Sequence, residues 1–193
     1  MPISTLRISP ATQGALSNYN NRLTERPDHG FGRSRGGLST KTHALVDGQG
    51  LPLVILIGPG HAGDNPQAVP LLEGLWVPRP IGRPRTRPDE LRGDKAYSSR
   101  EVRSWCRKHR VKVTIPEPDD RIRNRQRKGS KGGRPPKFDA TSYRGRNVVE
   151  RRFCEFKNWR GIATRYDKLC VVFRSGVMCR AMVAWLNHLS NTP

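Results

Sequence analysis

The chain is poor in acidic residues. Only 16 of its 193 residues are Asp or Glu, whereas 36 are Lys or Arg, so the formal net charge at pH 7 is +20. It is also poor in apolar residues, which make up 34% of the sequence, with aromatic residues at 7%. The low apolar share predicts a modest hydrophobic core. The uncompensated positive charge predicts that the partner of this protein is a polyanion.

Long apolar runs and paired cysteines are missing as well. The longest apolar run, residues 51–57, contains Pro52 and is far shorter than the roughly 20 residues that a membrane span needs. Residues 1–20 contain no apolar stretch typical of a signal peptide. The four cysteines form no C-x-x-C pair, which favours free thiols in a reducing compartment. We therefore expect a cytoplasmic protein without a membrane partner.

The first third of the chain divides into two parts. Residues 1–31 hold scattered polar residues without a strand or helix period, and we expect a poorly ordered lead-in there. The domain is expected to span residues 32–193. Within it, residues 40–46 and 51–57 are strand-like and flank Asp47-Gly48-Gln49-Gly50, which predicts a β-hairpin. Asp64 is predicted to cap a helix that runs to residue 75.

The downstream part alternates regular elements with two basic loops. Residues 78–92 and 117–139 combine arginines with Pro and Gly, which predicts extended, solvent-exposed loops. The Ser98-x-x-Glu101 spacing suits a capping box and predicts a helix over residues 99–109, followed by a strand over residues 111–115. A long helix is predicted over residues 140–160 and an apolar helix over residues 177–189.

The predicted helix around Glu150 carries the most informative pattern. At about 100° per residue, Tyr143, Arg146, Glu150 and Lys157 fall within an arc of about 60°, beside an apolar stripe. The pattern also fits a helix that only packs, with Arg146 and Glu150 as an i,i+4 supporting pair. The arc nevertheless places one acid at the edge of the predicted core.

A second acid stands where α/β folds bind ligands. Asp94 follows a predicted strand end and precedes a capped helix. Considered alone, Asp94 is interpreted as an ordinary aspartate in a turn. Together, Asp94 and Glu150 offer two hard oxygen ligands on separate elements. Such ligands hold Mg²⁺ or Mn²⁺ against a phosphate. Lys95, Arg146 and Lys157 could then contact that phosphate.

The remaining basic residues are candidates for DNA contact. Arg33, Arg35 and Lys41 flank the predicted hairpin, and the second basic loop adds Arg121, Arg123, Arg125, Arg127 and Lys128. Arginine-rich tracts also serve solubility, so a solvated face is an alternative interpretation. The charge fits a non-catalytic nucleic-acid-binding protein equally well, since either protein would neutralise phosphates.

Four segments resemble a known family. The spacing Tyr143-x2-Arg146-x3-Glu150-x6-Lys157 resembles the signature of bacterial insertion-sequence transposases of the DDE type. Residues 32–41 (GRSRGGLSTK), 94–97 (DKAY) and 163–168 (ATRYDK) are similar to segments of the insertion-sequence-five type within that family. Together the four segments occur in the family's order and cover roughly residues 28–190.

The resemblance implies a ribonuclease-H-like fold, in which a mixed sheet is flanked by helices and three acids meet at a two-metal site. Asp94 would be the second acid, Glu150 the third, and Tyr143 a supporting residue. Such enzymes use Mg²⁺ or Mn²⁺ to cut double-stranded DNA at the ends of their element and to join the freed 3′-hydroxyls to target DNA. Family members work as multimers on paired DNA ends, which is compatible with a homo-oligomer on DNA, while the sequence has no coiled-coil heptad and leaves the oligomeric state open.

The sequence departs from the family at the first acid. That acid belongs in a short D-[SG]-[ST] run upstream of residues 32–37, where no such run is found. Asp28 lies between Pro27 and Gly30, which argues against a strand, and Asp47 is assigned to the hairpin turn. We therefore expect the downstream part of a transposase, without the first catalytic Asp and its strand, and with low strand-cleaving activity.

Overall fold

The computed structural model describes residues 3–4, 8–13, 29–34 and 37–191. The strands are β1 (Ile3–Ser4), β2 (Ile8–Gln13), β3 (Gly32–Ser34), β4 (Gly37–Asp47), β5 (Pro52–Pro59), β6 (Glu90–Arg92), β7 (Lys112–Thr114) and β8 (Thr164–Arg165). The helices are α1 (Ala68–Glu73), α2 (Arg100–Lys108), α3 (Asp119–Arg127), α4 (Ala140–Arg144), α5 (Asn147–Lys157), α6 (Arg160–Ala163) and α7 (Cys170–Ser190).

The strands form one mixed sheet around the long strand β4. β4 pairs antiparallel with β5 on one side and with β1 and β2 on the other. β6 runs parallel to β1, and β7 runs parallel to β6. The short strands β3 and β8 extend the sheet by pairing with β4 and β2. A mixed sheet with helices confirms the α/β class predicted for the chain.

The alternation of side chains along β4 explains why helices cover both faces of the sheet. Leu45 packs into a core with Leu71, Leu72 and Val102 from α1 and α2. Its neighbours Ala44 and Val46 point the other way, into a core formed with α5 and α7 that includes Val149, Phe153, Phe156, Phe173 and Val177. Successive side chains of a strand face opposite sides. One strand therefore supplies both cores.

The predicted β-hairpin is confirmed. β4 and β5 pair antiparallel from Thr40↔Pro59 to Val46↔Pro52. Asp47 closes the turn, because its Oδ1 accepts hydrogen bonds from the N–H groups of Gln49 at 2.9 Å and Leu51 at 2.8 Å. Gly50 has φ +84°, which a residue with a Cβ rarely adopts. Asp47 thus has the structural turn role assigned to it.

The expectation of no strand within residues 1–31 is wrong for two segments. β1 and β2 lie there and pair with β4, while β1 also pairs with β6. Their partners are distant in sequence, so cross-strand pairing decides their structure and a local period does not. Asp28 and Arg35 lie outside the described residues.

Three further predictions need correction. Residues 119–127 form helix α3 inside the predicted extended loop, since Pro118 is the N-cap and Asp119 and Asp120 occupy the first turn, where the helix dipole favours acids. The helix predicted over residues 140–160 is divided into α4 and α5, with Gly145 and Arg146 between them, and α6 follows from Arg160. Asp64 makes no capping bond and instead pairs with Lys41.

Candidate active site and nucleic-acid interface

Asp94 lies just beyond the carboxyl end of β6. It is the N-cap of a single 3₁₀ turn, Lys95–Tyr97, and its Oδ1 accepts a hydrogen bond from the N–H of Lys95 at 2.6 Å. Helix α2 follows at once, capped by Ser99, whose Oγ accepts from the N–H of Val102 at 3.1 Å. The cap is one residue later than the predicted Ser98. The strand end and the capped turn fix the position of the Asp94 backbone.

Glu150 lies in the first turn of α5 with its side chain one-third exposed. Arg146, one turn earlier, donates a hydrogen bond from Nη2 to Oε1 of Glu150 at 2.7 Å. The guanidinium carbon of Arg146 also lies 5.4 Å from the centre of the Tyr143 ring, within the range of a cation–π contact. Three of the four residues in the predicted arc are therefore together, although Tyr143 belongs to α4.

Arg146 connects the two candidate acids electrostatically. Burial alone would lower the pKa of its guanidinium, but the hydrogen bond to Glu150 and the charges of Tyr143, Glu150 and Asp94 outweigh burial and raise the pKa above its ordinary value. Both acids therefore stabilise the charge of one guanidinium. Lys95 instead approaches Asp119 at 4.0 Å, and Lys157 is exposed at the end of α5.

A buried carboxylate that the sequence pattern did not indicate lies on the strand that leads to Asp94. Glu90, on β6, accepts hydrogen bonds from the hydroxyls of Thr114 and Ser142, both at 2.6 Å, and from Nη2 of Arg92 at 2.9 Å. Lys112 lies 3.2 Å away. Burial alone would raise the pKa of Glu90, but these four donors hold the pKa at about 2. Glu90 thus ties β6 to β7 and to α4.

The Glu90 contacts set the position of Arg146 and Glu150 relative to Asp94. Arg92 also donates from Nε to the Ser142 hydroxyl at 3.1 Å, so α4 is bound to the strand that leads to Asp94. Gly145, between α4 and α5, leaves room for this arginine, since a Cβ at this position would overlap the Arg92 guanidinium. Apart from the Arg92–Glu90 pair on β6, the contacts of this cluster join positions that are distant in sequence, so no local motif reveals it.

Two of the family-like segments meet at another buried side chain. Arg165 is fully buried and donates hydrogen bonds to the hydroxyl of Thr40 at 2.5 Å and to the carbonyl of His29 at 2.6 Å. Its guanidinium carbon lies 3.8 Å from the centre of the Phe31 ring. Residues 163–168 and 32–41 are therefore joined by a buried arginine with a structural role.

The predicted DNA-contact residues separate into two groups. Lys41 donates to Asp64 Oδ1 at 2.8 Å and to the Ala62 carbonyl at 2.7 Å, Arg121 donates to the Ser98 carbonyl, and Arg125 pairs with Glu117. These three hold the fold together. In contrast, four of the predicted residues expose their side chains to solvent: Arg33, Arg123, Arg127 and Lys128.

The side chains of Asp94 and Glu150 are carboxylates, the type of ligand that a hard divalent cation prefers. Magnesium is commonly held by one or two carboxylates together with waters and substrate phosphates. Asp94 and Glu150 could supply those carboxylates. No cluster of three or more His, Cys, Asp or Glu side chains able to hold a metal occurs among the described residues. When bound, such an ion would act as a Lewis acid on a phosphate.

The described part of the chain has no helix long and apolar enough to cross a membrane. The mixed sheet is covered by helices on both faces, and the sequence carries a charge of +20, which suits an α/β domain that binds a polyanion.

Comparison with known proteins identifies the family. The model of the Transposase DDE domain matches residues 19–186. A Brucella ovis protein named "Putative transposase for insertion sequence element IS6501" is 32% identical over 149 residues, which cover 77% of this chain and 99% of that protein. No solved structure matches. The chain belongs to the DDE transposase family, whose members are metal-dependent enzymes that cleave and transfer DNA.

Proposed function

We propose that this chain acts on double-stranded DNA at the ends of an insertion sequence and at its target, with Asp94 and Glu150 as the metal-binding acids. The observation that carries the proposal is the hydrogen bond of Arg92 to Ser142 at 3.1 Å, because it ties α4, which precedes the Arg146–Glu150 pair, to the strand that leads to Asp94. Mg²⁺ and Mn²⁺ are the proposed ions, since both prefer carboxylate oxygens.

The side chains around the acids have distinct proposed roles. Arg146 neutralises Glu150 in the metal-free protein and can turn its planar fork to a phosphate. Tyr143 holds Arg146 through its ring face. Lys95 and Lys157 are exposed and are proposed to contact phosphate as point charges. Glu90 and Arg92 position α4 and act through the residues they hold.

The finer fold assignment is ribonuclease-H-like, of the insertion-sequence-five type. The order β5-β4-β1-β6-β7, antiparallel at one end and parallel at the other, supports it. β1 lies between β4 and β6, beside the strand that leads to Asp94, yet neither β1 nor β2 contains an acid. This supports the expectation of low strand-cleaving activity, because a two-metal site needs the charge of its acids.

We also propose a homo-oligomer that acts on the nucleoid in the cytoplasm. The outward face of α7 supports self-association, since it is apolar and exposed: Val171, Val172, Met178, Met182, Leu186 and Leu189. The exposed Arg174 borders this face beside Val171 and Met178, but from Met178 to Leu189 the face carries no charged residue, so two strongly basic copies can meet along that part. Sedimentation equilibrium should show a dimer that Met182→Lys dissociates; an unchanged dimer would reject this face.

The test of activity is incubation of the purified chain with duplex DNA carrying an element end, in Mg²⁺ or Mn²⁺. Cleavage or joining should disappear in Asp94→Asn and Glu150→Gln. Activity that survives both substitutions would reject the site.

A non-catalytic DNA-binding protein is the second candidate function. The observation that favours it is the lack of a three-ligand metal cluster among the residues that the structure describes. It predicts DNA binding that is independent of divalent ions and no divalent-ion binding at Asp94 and Glu150. Divalent binding that depends on Asp94 and Glu150 would favour the transposase function instead.

A further inference from the structure

The first basic loop forms a pocket lined largely by arginines. Residues 79–89, which lie in the chain between α1 and β6, line an open pocket of about 280 Å³. Arginine contributes four of its seven lining residues, and Asp89 is the single acid: Arg79, Arg83, Pro84, Arg85, Thr86, Arg87 and Asp89. The pocket therefore concentrates positive charge at a place that the acid pair does not use.

The loop is held in one shape at its base. Val77 and Arg85 exchange two backbone hydrogen bonds, at 2.9 and 2.8 Å. Arg85 also pairs with Asp89 at 2.5 Å, and Arg87 donates to the carbonyl of His109 at 3.0 Å, which fastens the loop to the end of α2. Prolines at positions 78, 80, 84 and 88 restrict the backbone further. The loop is more ordered than the solvated loop predicted from composition.

The tip of the loop presents an apolar side chain between two cations. Ile81 is 91% exposed and stands between the exposed Arg79 and Arg83. Gly82 has φ +90° with no heavy atom within 4 Å of its missing Cβ, so the tip projects into open space. The exposed side chain of Ile81 makes no favourable interaction with water, so transferring it to an apolar environment is favourable. Proteins that grip DNA through the minor groove combine arginines with such an apolar wedge.

We propose that the arginine loop, residues 78–89, is a second DNA-binding site, which seats backbone phosphates between Arg79 and Arg83 and directs Ile81 into the minor groove. Arg85 and Arg87 are occupied by Asp89 and His109, so they hold the loop while Arg79 and Arg83 meet the phosphates. The order of the loop lowers the entropy lost on binding. The inference rests on the proposal that duplex DNA is the substrate.

The experiment measures the affinity of the full chain for a fluorescent 20-base-pair duplex by anisotropy, without divalent ions, over a range of salt concentrations. Each phosphate contact contributes about −0.9 to the slope of log affinity against log salt. Arg79→Gln and Arg83→Gln should each reduce the magnitude of the slope by about that amount. Ile81→Ser should weaken binding several-fold at every salt concentration and leave the slope unchanged, because it removes no charge.

Arg174→Gln is the matched control, because it removes one exposed arginine from α7, on the other face of the sheet. It should leave the slope unchanged. Equal slopes for the wild type, Arg79→Gln and Arg83→Gln would overturn the phosphate contacts, as would an equal reduction by Arg174→Gln. An Ile81→Ser protein that binds as tightly as wild type would overturn the groove contact. Failure of the metal site would leave all these values untouched, since no metal is present.

Discussion

At the scale of single residues, Arg146 should control how readily the proposed acid pair, Asp94 and Glu150, binds a cation. Its guanidinium donates a hydrogen bond to Glu150 and neutralises the negative charge of that carboxylate. A metal ion would have to compete with the guanidinium for the same carboxylate. We predict that Arg146→Gln raises the affinity for Mn²⁺ several-fold, as measured by calorimetry, because a competing cation is removed. Arg146→Lys retains the charge and should change the affinity less. A lower affinity in Arg146→Gln would mean that the arginine positions Glu150 for the metal.

Glu90 should contribute more to stability than any exposed acid of the chain. It is nearly buried and accepts hydrogen bonds from four donors, of which two are cations. We predict that Glu90→Gln lowers the free energy of unfolding by roughly 2–4 kcal/mol, because Arg92 and Lys112 would lose a buried partner. Urea denaturation measures the change. Asp89→Asn, which removes a largely exposed partner of Arg85, is the control and should cost about 0.5 kcal/mol.

Two residues give stability a defined dependence on pH. The folded-state pKa of Glu90, about 2, lies below the ordinary 4.5, so its contribution is complete above pH 4.5 and is lost as the pH falls toward 2. His43 is buried, and burial lowers its pKa from 6.5 to about 4, with Asp64 opposing and Lys41 assisting. Its neutral form is therefore favoured in the fold, and stability is lost as the pH falls from 6.5 toward 4.

Acid titration of unfolding should therefore show two stages. His43→Gln should remove the upper stage, and Glu90→Gln should diminish the lower one, to which Asp89 and Asp139 also contribute because their hydrogen bonds lower their pKa values. Chemical denaturation at closely spaced pH values measures both. A single stage near pH 4.5 in the wild type would contradict the assignment of His43.

At the scale of elements, the break between α4 and α5 depends on Gly145. A Cβ there would overlap the Arg92 guanidinium, which Glu90 and Ser142 hold in place. We predict that Gly145→Ala costs about 1–2 kcal/mol through overpacking. Gly161→Ala in α6 is the matched control, because no atom lies within 4 Å of its added Cβ, and it should be neutral or stabilising by up to about 1 kcal/mol. Equal effects of the two substitutions, measured by thermal unfolding, would contradict this account.

The sequence pattern predicted those elements whose signals are local. The hairpin turn at Asp47, the helix α2 behind its serine cap and the strand β7 follow from neighbouring residues. β1 and β2 depend on pairing with β4, and α3 depends on a proline and two acids that outweigh a loop-like composition. The break at Gly145 depends on the close approach of Arg92, 53 positions earlier. The helical periodicity of the sequence does not reveal a contact between positions so far apart.

For the candidate site, too, the sequence pattern predicted only what depends on local spacing. Motif spacing indicated Asp94, Glu150 and Arg146, and the assignment of the two acids stays a prediction. Lys41 and Arg121 were proposed for DNA contact from charge alone, but their partners, Asp64 and the carbonyl of Ser98, come from folding. Glu90 was missed because its donors lie on three separate elements. Charge density predicts a polyanion partner but not which arginines remain available to it.

At the scale of the whole molecule, the charge of +20 is distributed unevenly. Part of it is compensated within the fold at Asp64, Glu90 and Glu117. Exposed arginines and lysines lie on the arginine loop, on α2 and on α3, whereas the face of α7 from Met178 to Leu189 is apolar. This distribution suits a protein that meets DNA on one part of its surface and a second copy of itself on another.

The central claim is that Asp94 and Glu150 bind one divalent ion together, and Mn²⁺ binding measured by electron paramagnetic resonance tests it most directly. Titrations of the wild type, Asp94→Asn, Glu150→Gln and the double variant should show one ion per wild-type chain. Each single variant should lose at least about tenfold in affinity, and the double variant should lose little more, since neither acid suffices alone. A wild-type affinity in either single variant, with the fold intact by circular dichroism, would contradict the claim.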